Sequence, residues 1–294
     1  MATDERNFRS VYYEKVGFKS VEEKKSLEML LKDRPLDRAK LMQFCLRFYV
    51  PYTYRGLVWK LTLGVVPIYV DSHPLVMNQR RQEFSDLHHA LVTTRLINAN
   101  LPKPQLFLAI WLLQSGVLPF DINLTQDKAF LSIVRSLIQM QFSENDADLY
   151  WTAKNFYEFT RKFHSDIPKL VEQTHNLLEK EDHRYYKSLV DNNFLDSLPL
   201  SLWFECCFAG VINEKHLSRV WDKVCGGSVK ILVFIVVVML TTLKHRILKF
   251  KDVESVLNCI RNMTEDTADI IVNKSVDMWQ LFGSPLTVHD KSKT

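Results

Sequence analysis

An all-α fold, a single compact multi-helix unit, is what the sequence predicts, and three observations predict it. Glycine and proline number only 8 and 10 in 294 residues, too few breakers for a many-stranded architecture. The long stretches between them place apolar residues at i, i+3, i+4 and i+7 rather than in alternation. Several of these stretches also begin at a residue suited to N-capping.

Taken in order, "KSVEEKKSLEMLLKD" opens with a capping box, Ser20 and Glu23, followed by Val21, Leu27, Leu30 and Leu31 on one face, which predicts a helix over Val21 to Lys32. A second helix is expected from Asp37 through "KLMQFCLRF". A third runs through "YRGLVWKLTLG", with Leu57, Leu61 and Gly64 marking one face and the glycine as its stop. "DKAFLSIVRSLIQMQF", "YWTAKNFYEFTRKFH", "PKLVEQTHNLLEKED" and "ADIIVNKSVDMWQLFG" each suit three to four turns. "NLPKPQ" and "GVLPFDINLTQ" read as connecting loops, and the segment after Gly283 as a frayed tail.

The most apolar run, Val229 to Leu243, allows three readings. A bilayer span needs about 20 apolar residues, and here Lys230, Thr241 and Thr242 interrupt. Its β-branched content favours a buried strand. Its length and its ends, Ser228 as a cap and Lys244, His245 and Arg246 in the last turn, favour a buried core helix, which is the reading adopted. Before it, Asn213 can cap a helix carrying Leu217, Val220, Trp221 and Val224 that ends at Gly226, so the two helices are expected to form a packed hairpin.

Composition excludes several function classes. The net charge of +4 comes from basic residues interleaved with acids, without the stripe that a nucleic-acid backbone would require. The polar start "MATDERNFRS" lacks the pattern of a leader or of a myristoylation signal, so a cytoplasmic protein that reaches membranes only through partners is expected. Cys45, Cys206, Cys207, Cys225 and Cys259 lack zinc-ligand spacing and are expected as reduced thiols in or near the core, with no metal and no cofactor. Nucleophile elbows, phosphate-binding glycine loops and H-E-x-x-H are absent from the sequence, and adjacent His88 and His89 cannot face one ligand from a helix.

Two blocks carry a resemblance. "RGLVWKLTLG", with Arg55, Trp59 and Gly64, resembles the opening R-x-x-x-W…G block of TBC domains, the helical modules of Rab GTPase-activating proteins. "LWFECCFAGVINEKHLSRVWDKVCGGSVKILVF", with Trp221 and Asp222, is similar to the closing block, and "DKAF" to the start of a middle helix. The resemblance implies an N-terminal helical extension over residues 1–49, a TBC core over 50–231, completing helices over 232–283 and a flexible tail over 284–294. Trp59 and Trp221 are expected as core aromatics, and Arg55 and Asp222 as a buried or half-buried ion pair.

Enzymes of this family supply an arginine in I-x-x-D-x-x-R and a glutamine in Y-x-Q to the GTPase, and neither pattern occurs in this chain. The nearest remnants are Arg95, ending "HALVTTR" with Val92 where the aspartate belongs, and Gln114 in "WLLQSG", without its tyrosine. Arg95 reads more simply as a solvated helix-surface arginine, and Gln114 as a polar residue near a helix C-terminus ahead of Gly116. Further likeness, over nearly the whole chain, is to a branch of the family that serves as a subunit of the tuberous sclerosis complex. That likeness implies a non-catalytic subunit binding the C-terminal coiled coil of hamartin and, through it, tuberin. The complex activates the Rheb GTPase and restrains mTOR signalling, with recruitment to lysosomal or vesicle membranes. The alternative is an active Rab-directed activator in vesicle or ciliary traffic.

Overall fold

The computed structural model describes residues 21–98, 100–122 and 127–285, and among them it is helical without a strand. The chain divides into two compact units, one within residues 1–156 together with 225–227, the other comprising 157–224 with 228–294.

In the first unit, α1 (Val21–Lys32), α2 (Arg38–Arg47) and α3 (Tyr52–Thr62) pack in succession, as do α4 (His73–Thr93), α5 (Lys103–Gln114) and α6 (Lys128–Gln139). The first residues of α7 (Asp146–Arg161) also belong to it. Two of these helices start where the sequence places a carboxylate. The Asp37 side chain accepts from the Lys40 N–H and that of Asp127 from the Phe130 N–H, each satisfying an amide that the helix itself leaves open. Ser20, the other expected cap, lies outside the described residues.

Two expectations change here. The inner face of α3 is Val58, Trp59, Leu61 and Thr62, whereas Leu57 is 38% exposed. Val58, Leu61 and Thr62 stand at i, i+3 and i+4, so the core-facing stripe is centred one residue beyond Leu57. The loop "NLPKPQ" also ends earlier than expected, because α5 begins at Lys103 and takes Pro104 into its first turn. Proline is suited to that position, since its missing N–H would be unpaired there anyway.

The second unit contains α8 (Ile167–Glu181), α9 (His183–Asp191), the short α10 (Phe194–Ser197) and α11 (Leu200–Glu205), then α12 (Glu214–Cys225) apart from its last residue. It continues with α13 (Ile231–Thr242), the single-turn α14 (Lys244–Ile247), α15 (Val253–Arg261) and α16 (Glu265–Phe282). The apolar run is α13, a helix as expected, and all of Ile231–Leu240 is buried. No described helix is long and apolar enough to cross a membrane.

The surroundings of α13 differ from the expected hairpin. Its main neighbours are α16 and α8 rather than α12. A helix that is apolar on every side needs cover on every side, which one hairpin partner cannot supply. Ser228 is not its cap either: the N-cap residue of α13 is Lys230, which makes no side-chain cap bond, and the Ser228 hydroxyl accepts from the Trp279 indole N–H over 3.1 Å. Asn213 does serve α12 as expected, accepting from the Lys215 N–H. Near the other end of α13, the Tyr185 hydroxyl donates to the Leu240 carbonyl over 3.1 Å.

Candidate functional site

Gln114 closes α5, and both ends of its amide are engaged. Its Nε2 donates to Oε1 of Glu83 on α4 over 2.6 Å, and its Oε1 accepts from the hydroxyl of Tyr150 on α7 over 2.9 Å. The Tyr150 ring is fully buried and wedged between Phe84 and Phe107, with ring centroids 5.5 and 5.6 Å away. A fixed phenol therefore fixes the amide.

Around this clamp the first unit concentrates polar groups. Trp151, next to Tyr150, donates its indole N–H to the Arg80 carbonyl, and the Arg80 guanidinium lies 4.4 Å from the centre of the same ring. Burial works against the charge of Arg80, and Glu83 one turn later opposes that effect. Asp148 forms a 2.5 Å ion pair with Lys60 and lies 3.6 Å from Arg81. Along the exposed flank of α4, Gln79, Gln82, Glu83, Asp86 and Leu87 line an open depression of about 440 Å³. Only Met77 and Leu91 of this 21-residue helix are buried.

Arg95 is exposed and follows the end of α4, with φ of +58° and its N–H bonded to the Val92 carbonyl. That left-handed conformation ends the helix, as a glycine more commonly does. It is thus an exposed arginine in the turn just beyond the helix, where the sequence suggests a helix-surface position.

The residues of the opening block have structural work. Trp59 is buried and stacked on Phe142 at 5.4 Å. Half-buried Arg55 donates to the Val50 carbonyl over 2.6 Å, with its guanidinium 5.9 Å from the Trp59 ring centre. Gly64 follows α3 with φ of +74°, a conformation that side chains rarely adopt.

In the closing block, Trp221 and Asp222 are both fully buried. The Trp221 indole N–H donates to the Cys207 carbonyl over 2.9 Å. Cys207 and Phe208 have φ of +48° and +63°, two consecutive non-glycine residues in the left-handed region. The tryptophan of "RVWD" thus holds the strained turn of "LWFECCFAG". Sequence spacing does not reveal this tie, because no periodicity links residues 14 apart across a turn.

Tyr150 and Glu83 are likewise invisible in the sequence, standing 36 and 31 residues from Gln114. All five cysteines are free thiols, four of them buried and Cys259 half-buried, as expected. Burial pushes the Cys206 thiol up to about 12 and that of Cys207 well above its ordinary value. Among the described residues, no group of three or more histidine, cysteine or acidic side chains could hold a metal ion.

Comparison with known proteins agrees with this picture. The Rab-GTPase-TBC domain model matches residues 126–248. The chain is 42% identical over 280 residues to TBC1 domain family member 7 of Xenopus tropicalis, covering 94% of each. It is 41% identical to the proteins of that name from Homo sapiens, over 279 residues and 94% of each chain, and from Danio rerio, over 293 residues, 97% of this chain and 99% of the other. Among solved structures, the Ypt/Rab-GAP domain of Gyp1p aligns with a TM-score of 0.63 at 14% identity, over 88% of this chain and 98% of that one. A Chlamydomonas flagellar RabGAP TBC domain aligns at 0.57 and 18% identity, over 94% and 93%. At such identities these two structures speak for the fold alone. Identity above 40% over at least 94% of the chain to several relatives decides the family: the chain belongs to the TBC-domain proteins, together with those named TBC1 domain family member 7.

Proposed function

We propose that this TBC-domain protein acts as a non-catalytic subunit, a scaffold that binds the coiled coil of hamartin and so supports the action of the hamartin–tuberin complex on Rheb, restraining mTOR signalling. The observation that carries the non-catalytic part is the clamp on Gln114. A glutamine that orients attacking water must present a free amide to the nucleotide, and this amide is held by Glu83 and Tyr150. Glu83 also places a carboxylate beside it, and that charge opposes an approaching triphosphate.

The partner surface we propose is the exposed flank of α4. A long helix with two buried residues and an open depression of about 440 Å³ offers a seat for one face of an amphipathic helix. Recruitment to lysosomal or vesicle membranes follows, in this reading, from the partners.

The alternative, direct activation of a Rab, draws on exposed Arg95 and on the family itself. Single-turnover GTP hydrolysis across a Rab panel separates the two. The scaffold reading expects no stimulation beyond the intrinsic rate. Strong stimulation that disappears in Arg95→Ala would overturn it. A hamartin coiled-coil pull-down tests the partner, with Leu87→Asp expected to abolish capture and Lys128→Asp, on α6, to leave it intact.

A further inference from the structure

His216, on α12, is 5% exposed and sits among charged side chains of two helices. Its own helix brings Lys215 and Arg219; α16 brings Glu265, Asp269 and Asn273. Nη2 of Arg219 stands 2.6 Å from His216 Nδ1 and 2.6 Å from Asp269 Oδ1, while its Nη1 donates to Asn273 Oδ1 over 2.7 Å. One guanidinium thus ties α12 to α16 at two points and touches the imidazole at a third.

The chemistry of that third contact fixes a protonation state. Arginine has only donors, so Nδ1 must be the acceptor and carries no proton. The single proton of the neutral ring then sits on Nε2, which is buried without a hydrogen-bond partner, 3.8 Å from Glu265 Oε1. Nδ1 is also 3.1 Å from Asp269 Oδ1. A proton added at Nδ1 would meet the Arg219 N–H head-on and face a carboxylate within bonding distance.

We propose that His216 is a proton-operated exchange switch between α12 and α16. With the ring neutral, Arg219 holds Asp269. When Nδ1 gains a proton, the imidazolium takes Asp269 over and expels the guanidinium towards solvent, replacing a two-point tie by a single ion pair. No bond other than N–H changes, and the proton comes from water.

Burial, followed by Arg219 and then Lys215, disfavours the charged ring against the pull of Asp269 and Glu265, so the folded protein protonates His216 below the ordinary 6.5. The sign follows. Above pH 6.5 the ring is neutral in both folded and unfolded chains and the tie is whole. As the pH falls below 6.5 the unfolded chain takes up the proton first, and stability is lost.

The test is nitrogen-detected NMR of the full chain across pH 5 to 8. At pH 8 the expected His216 tautomer carries its proton on Nε2, and on acidification its transition, below 6.5, coincides with a change in the Arg219 side-chain signals. Arg219→Gln is expected to raise the His216 transition by about one pH unit, since it removes the competing cation. A neutral ring protonated at Nδ1, or Arg219 signals that ignore the transition, overturns the proposal. Both of those readings come from the wild type, so they stand even if the variant does not fold.

Discussion

The hydroxyl of Tyr150 donates to Oε1 of Gln114 over 2.9 Å while Glu83 holds the other end of the same amide. The pair joins α7 to the end of α5, and it makes the clamp a packing device. Tyr150→Phe removes the donor and leaves the buried ring in place. A loss of about 1 kcal/mol in unfolding free energy is expected, measured by denaturant titration. Gln114→Ala is expected to destabilise by a similar amount and to leave GTP hydrolysis by any Rab at its intrinsic rate.

Trp221→Phe keeps most of the buried ring and loses the N–H that satisfies the Cys207 carbonyl. A buried acceptor left alone costs about 1 to 3 kcal/mol, and the two left-handed residues beside it lose their restraint. Chemical denaturation should show that loss, and hydrogen exchange should rise first at residues 206–210. An unchanged exchange pattern there would mean that the turn holds itself.

Two glycines stand where a methyl group would crowd its neighbours, severely at Gly283 and tightly at Gly226. A Cβ on Gly283 would lie 2.3 Å from Cε2 of Phe234, and one on Gly226 would lie 3.0 Å from the Met42 carbonyl oxygen. Alanine at either is expected to destabilise by about 1 to 3 kcal/mol. Gly64→Ala meets open space but a φ of +74°, so its cost, about 1 kcal/mol, is conformational. Thermal unfolding of the three variants separates steric from backbone effects.

Thiol chemistry gives a further check. Only the thiolate attacks, and burial keeps Cys206 and Cys207 protonated through neutral pH. Labelling the native protein with iodoacetamide, followed by peptide mapping, is expected to modify Cys259 and to spare Cys206 and Cys207 until denaturant is added.

Acid sensitivity should come in part from Asp182. Its carboxylate accepts from the Lys244 ammonium and from the Tyr185 N–H, capping α9, and these hold it below 3.8. A lowered carboxyl contributes stability above its unfolded value, and the contribution is lost as the pH falls through the folded one. Asp182→Asn should flatten this acid limb in melting experiments taken from about pH 4 downwards.

Much of the fold was legible in the sequence because helices announce themselves locally. Asp37, Asp127 and Asn213 mark starts within three residues of the amides they serve. Where a contact crosses elements, the signal ends. Nothing local tells Ser228 to serve Trp279 rather than α13, or Leu57 to face water. The candidate site was legible as residue types, Arg95 and Gln114. Their surroundings were not, because Glu83 and Tyr150 reach Gln114 from other helices.

The buried helix α13 has a consequence of its own. A cylinder clad in apolar groups all round carries little information about which way it should face, and dispersion forces alone would accept many rotations. Directional contacts must supply the missing angle. The Tyr185 hydroxyl on the Leu240 carbonyl and the fit of Gly283 against Phe234 are two such stops. Aliphatic side chains within the run should therefore be interchangeable at equal volume, while Phe234 and the two residues that meet the run from outside, Tyr185 and Gly283, decide whether the core settles into one arrangement or several.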